Sequence, residues 1–410
     1  MNILFLDAYY EPEKIAYTHL ERDLIEGLIS DGHKIKIICP TPTRGIDKET
    51  KKKYTNKILE KKYNGSVIVN RFKAPQEGKN PIVRAVRYFW CNFRTYQIAL
   101  KSKNIDVVFS NSTPPTQGAI SGIIAHKLSK KYHKKVPFVY NLQDIFPDSL
   151  VNSNLTHYNS VLWKIGRKLE DFTYRHADKI ILISQGFKRN VLAKGVSENK
   201  MEVISNWIDL ESVHPVERKD NKLIEEFGLN PEKFLVVYAG NFGATQGADI
   251  VLKTAKQMSE YDEIQFVIFG GGAYFKDAKK EAKGLKNVFI HELMPQDRIS
   301  EVYSLGNVAL VTCKAGTGKA GMPSKIWSIM ACNTPIIASF DIDSDLAEVI
   351  RDSGAGKCVE PGNILELSNA IVEVSKIKKF EHSELREYVS KYASKQTCVK
   401  KYNNIIKSYI

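Results

Sequence analysis

The run VYAGNFGATQGADIVLKTAKQM, from Val237 to Met258, carries residue types and a spacing that suit a phosphate. An apolar strand ends in a glycine-rich turn and an amphipathic helix follows. Gly240 and Gly243 keep side chains out of the turn, so backbone amides can approach an anion. A helix opening near Ala244–Gly247 would aim its free N–H groups at the same spot. A tight strand-to-helix turn of any α/β protein has the same pattern, and both readings stay open here.

The second informative run is KAGTGKAGMPSKIWSIMACNTP, Lys314 to Pro335. It contains a literal GxGxxG at Gly316–Gly321, with Asp341 twenty residues on. An NAD-dependent oxidoreductase or nucleotide-sugar epimerase would use these residues as a dinucleotide fingerprint. Against that, Lys314 and Ala315 separate strand from glycine, and Pro323 and Ser324 restart the helix. A Walker A loop fails too, since Ala320 stands where Ser or Thr must meet magnesium. The competing expectation is a loop that delivers Lys319 and Lys325 to a diphosphate, with Ser324 capping the helix or bonding a phosphate. Lys325 sits in a first helical turn, where a cation is disfavoured unless it faces an anion.

Gly270-Gly271-Gly272 after the strand QFVIFG could admit a ligand or form a loose turn. His291, Glu292 and Leu293 could flank a nucleobase. In the first half, Glu11 and Asp144 each leave a strand at its carboxyl end, suited to acid/base work or to gripping sugar hydroxyls. Asp341-Ile342-Asp343-Ser344-Asp345 resembles a metal-binding DxD but reads better as a helix cap. In PIVRAVRYFWCNFRTYQIALKSK, 81–103, Ile82, Ala85, Val86, Phe89, Trp90 and Phe93 share a helical face. Either that face covers the sheet with a basic face outward, or the helix lies on an anionic bilayer.

These residues are carried by two series of alternating strands and helices. Strands are expected at 2–7, 34–40, 66–72, 106–111, 137–142, 179–184 and 201–206, with helices at 17–31, 81–102, 116–132, 159–176 and 185–194. A linker is expected at 212–220. The alternation restarts with strands at 234–240, 265–270, 287–292, 307–313, 334–340 and 356–361, and a last helical stretch spans about 383–409. The pattern predicts two Rossmann-like, doubly wound parallel sheets facing across a cleft. The expected domains are 1–212, binding the acceptor, 213–382, binding the nucleotide, and 383–410, a helix crossing back.

At 410 residues the chain is long enough for two such domains. No apolar run approaches the roughly 20 residues of a membrane span, and MNILFLDAYYEPE reads as a buried strand, not a signal peptide. The six cysteines form no CxxC, which argues for a reducing cytoplasm and against structural zinc. Residues 1–215 hold 34 Lys and Arg against 21 Asp and Glu; residues 216–410 hold 26 against 25. The basic half suits an anionic membrane or a phosphorylated substrate. Nucleic acid is not expected, because no recognised module accompanies the charge.

In order and spacing, YYEPE, GHKIKIICP, QDIFPDS, ADKIILIS, VISNWIDL, YAGNFGATQG, FVIFGGG and MPSKIWSIMACNTPIIAS resemble the retaining GT-B glycosyltransferases of family four. The likeness runs over nearly the whole chain. It is nearest to bacterial O-antigen and capsule enzymes that transfer N-acetylfucosamine-type sugars to lipid-linked acceptors. The resemblance implies a nucleotide-diphosphate sugar donor, a UDP-N-acetyl sugar in the first instance, and no metal or other cofactor. It implies a cytoplasmic enzyme peripheral to the inner face of the plasma membrane. Donor contacts are expected at Gly240, Asn241, Gly243, Gln246, Gly271, Ser324, Lys325 and Ser328, and catalytic roles at Asp144, Glu11 and Lys319. The chain departs from the family in three places. Asn241 and Gln246 replace an arginine and a lysine, Ala320 and Ser328 replace paired glutamates, and Ile15-Ala16 replaces a double glycine.

Overall fold

The computed structural model describes the chain apart from Lys14, Ala16, Lys79, Ser153, Asn154, residues 378–382, Ile410 and the side chains of Pro81, Ile82, Ala320 and Ser383. The expected domain limit at 382, the family difference at Ala16 and the side chain of Ala320 therefore lie outside the described residues. Contacts divide the chain into two units, Met1–Ser205 with Cys398–Ile410, and Asn206–Thr397.

The N-terminal unit contains β1 (Asn2–Leu6), α1 (Thr18–Ser30), β2 (Lys34–Pro40), α2 (Lys48–Tyr54), β3 (Leu59–Lys62), β4 (Val67–Phe72), α3 (Pro81–Leu100), β5 (Val107–Asn111), α4 (Gln117–Tyr132), β6 (Phe138–Leu142), α5 (Asp148–Asn152), α6 (Val161–His176), β7 (Lys179–Leu182), α7 (Gln185–Ala193) and β8 (Met201–Val203). Its sheet runs β3-β4-β2-β1-β5-β6-β7-β8. All pairs are parallel except β3 with β4. Covering helices make the inner strands continuous apolar runs, as parallel sheets require; β5 is buried at every residue. The edge strand β3, LEKK, was not expected. Its lysines give no apolar alternation, and such charge is how edge strands resist further pairing.

The C-terminal unit contains α8 (Lys222–Glu226), β9 (Phe234–Asn241), α9 (Asp249–Gln257), β10 (Ile264–Gly271), α10 (Phe275–Glu281), β11 (Val288–Glu292), α11 (Ile299–Ser304), β12 (Val308–Thr312), α12 (Lys325–Ala331), β13 (Ile336–Ser339), α13 (Asp345–Ser353), β14 (Gly356–Val359), α14 (Ile364–Ser375), α15 (Ser383–Tyr392) and the start of α16 (Lys395–Lys407). Its sheet is wholly parallel in the order β11-β10-β9-β12-β13-β14. Both sheets thus contain the doubly wound order, reversing between β1 and β5 and between β9 and β12. Along β9, Val237 and Ala239 enter one core and Val236 and Tyr238 the other, the alternation expected of a strand covered on both faces.

Three differences from the sequence reading have physical causes. The segment before Val213 joins the C-terminal unit, because the Arg386 guanidinium binds the carbonyls of Leu210 (2.5 Å) and Val213 (2.8 Å), and Val213 is buried. The single last helix is instead α15 and α16. Ile208 pairs across the break through Ala393 O and Lys395 N, and Ser394 Oγ accepts from Thr397 N–H as the second helix starts. The apolar face of α3 does not cover the sheet. Arg87, Cys91, Thr95 and Ala99 do so at four-residue steps, while Val86, Phe89 and Phe93 point outward. Arg87 turns inward because its guanidinium finds Pro75 O and Thr43 Oγ1.

The end of α16 is tied into the N-terminal unit by polar bonds. Tyr402 OH donates to Asn141 Oδ1 (2.9 Å), and His33 Nε2 lies 2.9 Å from Asn403 Oδ1. Tyr402→Phe is expected to lower the unfolding free energy by about 1 kcal/mol in urea titration, with an unchanged m-value.

Candidate functional site

Ligands of doubly wound sheets sit beyond the carboxyl ends of the strands where the order reverses. In the C-terminal unit that point is opened by the strands themselves. β9 and β12 pair only at Val236–Val308 and Val237–Ala309, although each continues for several residues. Into this opening α12 delivers Lys325 from its first residue. The Nζ lies 3.4 Å from Ala239 O and 4.6 Å from the centroid of the Tyr238 ring. A Cβ on Gly240 would come within 3.1 Å of that nitrogen, so the glycine leaves the room the ammonium occupies. Among the described residues no carboxylate pairs with Lys325. Burial alone pushes its pKa down to about 8. A desolvated cation without an acid beside it is an electrostatic vacancy for an anion.

The turn after β9 is built around that position. Gly247 takes φ +56°, and a Cβ there would lie 2.5 Å from Cys313 O. Its left-handed backbone stops a right-handed helix from starting earlier. The helix expected to open at 244–247 therefore begins at Asp249, whose carboxylate takes Lys253 at 2.7 Å. What remains at the turn is backbone and amide side chains: Gln246 Oε1 and Asn241 Nδ2 both crowd the bare face of Gly243. The turn is stapled from two sides. Thr312 Oγ1 donates to Gln246 O (2.7 Å) and Lys314 N to Thr245 O (2.8 Å). Phe242 N donates to Gly271 O (2.7 Å), and Gly272 at φ +101° passes so close to Asn241 that no Cβ fits. A cavity of about 680 Å³ adjoins the turn at Gly243 and Ala244 but extends along α9 and α10, without Gly240 or Lys325 among its walls. The unpaired ammonium lies outside that volume.

Ser324 precedes Lys325 as an exposed residue whose hydroxyl makes no capping bond, and Ser328 is half-buried one turn on. Lys319 is exposed and ion-paired with Asp343, so its ammonium has a carboxylate partner of its own. Asp341 accepts from the amides of Gly316 (2.9 Å) and Gly318 (2.7 Å). Its carboxylate thus knots the GTGKAG loop together and is not offered to a ribose. That loop leads only into a short 3-10 turn at Gly318–Ala320, with no helix under its glycines. Ser344 Oγ accepts from Ala347 N and caps α13, the structural reading of the acidic triplet. His291 stacks on Phe227 with ring centroids 3.8 Å apart, and burial lowers its pKa. Glu292 pairs with Lys279.

In the N-terminal unit the two expected acids differ. Glu11 is held by Lys62 at 3.0 Å and lies 4.0 Å from Arg22. Asp144 reaches solvent, yet surrounding protein atoms desolvate it and raise its pKa against the opposing hydrogen bond of Ser149. Ser112 Oγ accepts from the amides of Gln143 (3.0 Å) and Asp144 (3.1 Å) and fixes their turn. Two further acids escaped the sequence reading. Glu13 is buried and accepts from the amides of Thr43 (2.6 Å) and Arg44 (2.7 Å). Asp7 accepts from Asn111 Nδ2 (3.1 Å), and Asn141 Nδ2 in turn donates to Asn111 Oδ1 (2.8 Å). The available signal was a polar residue at or near the end of each apolar strand.

The Glycosyltransferase Family 4 model matches residues 21–212, and the Glycosyl transferases group 1 model matches residues 219–396. Probable glycosyltransferase WbjE of Pseudomonas aeruginosa is 26% identical over 341 residues, 80% of this chain and 82% of that protein. Putative colanic acid biosynthesis glycosyl transferase WcaI of Escherichia coli is 23% identical over 66% of this chain and 67% of its own. Among solved structures, sucrose-phosphate synthase from Thermosynechococcus elongatus superposes with a TM-score of 0.73 at 15% identity, covering 99% of this chain and 98% of that one. Anabaena HepE in complex with UDP gives a TM-score of 0.70 at 16% identity over the whole of both chains. Two family matches lying end to end over a pair of doubly wound sheets make this chain a glycosyltransferase of the GT-B fold, in the group 1 and family 4 line.

Proposed function

We propose that this glycosyltransferase moves a sugar from a nucleotide-diphosphate donor, a UDP-N-acetyl sugar, to a lipid-linked or saccharide acceptor in bacterial surface polysaccharide synthesis. The observation that carries the reading is the unpaired, desolvated Lys325 ammonium where β9 and β12 part. As the glycosidic bond breaks, negative charge grows on the departing diphosphate. A fixed cation that costs free energy without an anion is best placed to stabilise that charge. Gly240, Asn241, Gly243 and Gln246 would meet the phosphates, Gly271, Ser324 and Ser328 the rest of the donor. Lys325 supplies positive charge that a divalent ion provides in other transferases, so donor binding is expected without metal. Asp144, with its raised pKa, suits proton exchange with the acceptor hydroxyl better than the ion-paired Glu11. Retention of anomeric configuration is part of the reading, as is attachment of the basic N-terminal half to the anionic membrane that carries the acceptor. Anabaena HepE bound to UDP and WcaI of colanic acid biosynthesis support donor class and setting.

Calorimetry with UDP, with and without magnesium, tests the donor. Wild type is expected to bind equally in both, and Lys325→Ala about tenfold or more weakly, the loss of one bond to a charged group. NAD binding in place of UDP would overturn the reading. The donor dependence on pH follows from the lysine: UDP affinity should fall as pH rises through about 8, and this fall should be absent in Lys325→Ala. The anomer of the product, read by NMR after turnover, decides retention.

The same lysine makes a prediction for the unliganded protein. Its folded pKa of about 8 lies below the ordinary 10.5, so the unfolded chain holds the proton more tightly. The resulting penalty is complete below pH 8 and fades as pH rises toward 10.5. Lys325→Met is expected to be more stable than wild type at pH 7 in urea titrations, with the gap closing by pH 10.

A further inference from the structure

At the carboxyl edge of the N-terminal sheet, one carboxylate is surrounded by groups that suit a phosphate. Tyr9, Arg44 and Glu77 stand three to five residues beyond the ends of β1, β2 and β4. These strands are parallel neighbours, and α3 starts at the same edge with Arg84 near its beginning. The Glu77 carboxylate accepts from Arg44 Nε at 2.6 Å and from Arg44 Nη2. Tyr9 OH lies 3.2 and 3.3 Å from its two oxygens, and Arg84 Nε lies 3.5 Å away. The Arg44 guanidinium also covers the Tyr9 ring, 4.2 Å from its centroid. Two guanidinium groups thus answer one acid, and among the described residues neither pairs with a second. The Glu77 side chain is 9% exposed, whereas those of Arg44 and Arg84 are 36% and 44% exposed, so both cations still reach water.

The way Glu77 is held makes it removable. The stretch 73–78 forms neither helix nor strand. Its root is fixed, because Trp90 Nε1 donates to Lys73 O at 3.0 Å and the Arg87 guanidinium to Pro75 O. Beyond that, among the described residues, the backbone of 76–78 makes no hydrogen bond, so the polar hold on Glu77 is through its carboxylate. We propose that Tyr9, Arg44 and Arg84 form an anion seat that Glu77 fills in the free chain and that a diphosphate of the acceptor takes over. This deepens the reading above and rests on its lipid-linked acceptor. The guanidinium fork matches carboxylate and phosphate oxygens alike. Two cations against one carboxylate leave positive charge over, and a diphosphate brings both the charge and the oxygens to use it. Glu77 acts as an internal competitor that weakens every anion by the same factor. Only a multiply charged one then competes well, which gives the seat selectivity.

The test is calorimetry of the full chain with farnesyl diphosphate and with inorganic pyrophosphate. Every variant carries Lys325→Ala, so that the donor position does not take the probe. Adding Glu77→Gln should tighten binding of both probes about tenfold, because no internal anion has to leave. Arg44→Met with Arg84→Met should weaken both about tenfold or more. Arg44→Lys, which keeps the charge without the fork, should fall between and serves if the arginine pair does not fold. Glu77→Gln should also lower the thermal midpoint without ligand, and farnesyl diphosphate should raise that midpoint more than it raises the parent's. A Glu77→Gln protein that loses stability but binds both probes as the parent does overturns the proposal and leaves a structural ion pair. So does unchanged binding in a folded arginine variant. Farnesyl diphosphate should bind more tightly than pyrophosphate; pyrophosphate bound as tightly or better overturns the assignment to a lipid-linked acceptor. UDP binding by the chain with Lys325 intact keeps the two readings apart. Its failure removes the donor site alone, and failure of the seat leaves the donor site standing.

Discussion

The constraint on which the C-terminal unit depends is a half-buried, desolvated cation without an acid beside it. Desolvated lysines are rare because the lost hydration must be answered by a partner or by loss of the proton. Here neither answer is complete: burial brings the pKa of Lys325 only down to about 8, so the ammonium is still the major form at neutral pH. The lysine contacts are a carbonyl and a ring face, which orient a cation without neutralising it. Such an arrangement lowers stability, and under the function proposed above the donor diphosphate would offset that cost. An ordinary surface lysine could attract the same anion, but water would screen it and its position would vary.

Several features then follow from keeping that position open and rigid. β9 and β12 pair at only two positions, and the Lys325 side chain reaches Ala239 O beyond them. Gly240 cannot carry a Cβ without crowding the ammonium, and Gly247 cannot without meeting Cys313 O. The turn is not left loose by its glycines. Bonds from Thr312 and Lys314 on one side, and from Phe242 to Gly271 on the other, tie it to the ends of β12 and β10. Glycine here gives close approach, and the surrounding hydrogen bonds remove the flexibility that would otherwise accompany it. The Asp341 knot of the GTGKAG loop does the same for the segment leading to α12.

Much of this was legible in the sequence, and what was not has identifiable causes. Short β-rich runs of six or seven residues marked every strand of both sheets except β3, whose lysines hide it. The glycine turn and the lysine after Pro323-Ser324 could be read because their oddity is local: a basic residue at a positive helix end. The direction of α3 could not be read that way. Its apolar residues do share a face, as their spacing requires, but spacing does not say which way that face points. Arg87 decides it, through carbonyl and hydroxyl partners that are distant in sequence. The fate of Asp341 was equally hidden. Its distance from the glycines matched a dinucleotide fingerprint, while its two oxygens bond the loop's own amides. A spacing motif records where residues stand along the chain, and only the partner of each oxygen shows whether a carboxylate is available.

The N-terminal sheet reverses its strand order in the same way, yet its reversal point is occupied from within. Asp7 at the end of β1 bonds Asn111 at the end of β5, and Asn141 on β6 links that pair to Tyr402 of α16. Glu21 from α1 packs its carboxyl against that of Asp7; burial pushes both above the ordinary carboxyl range, and the Asp7 charge raises Glu21 further. The Asp7–Asn111–Asn141–Tyr402 bonds close on one another, while both Glu21 oxygens lie buried without a hydrogen-bond partner. The free chemistry of this edge moves outward to the loops that the network supports. Gln143 Nε2 donates to Asn141 Oδ1, and Ser112 holds the amides of Gln143 and Asp144. Asp144 thus rises from a turn fixed at three points. One topology therefore has two outcomes: an opening that holds an unpaired lysine in one sheet, and a polar network that braces an exposed carboxyl in the other.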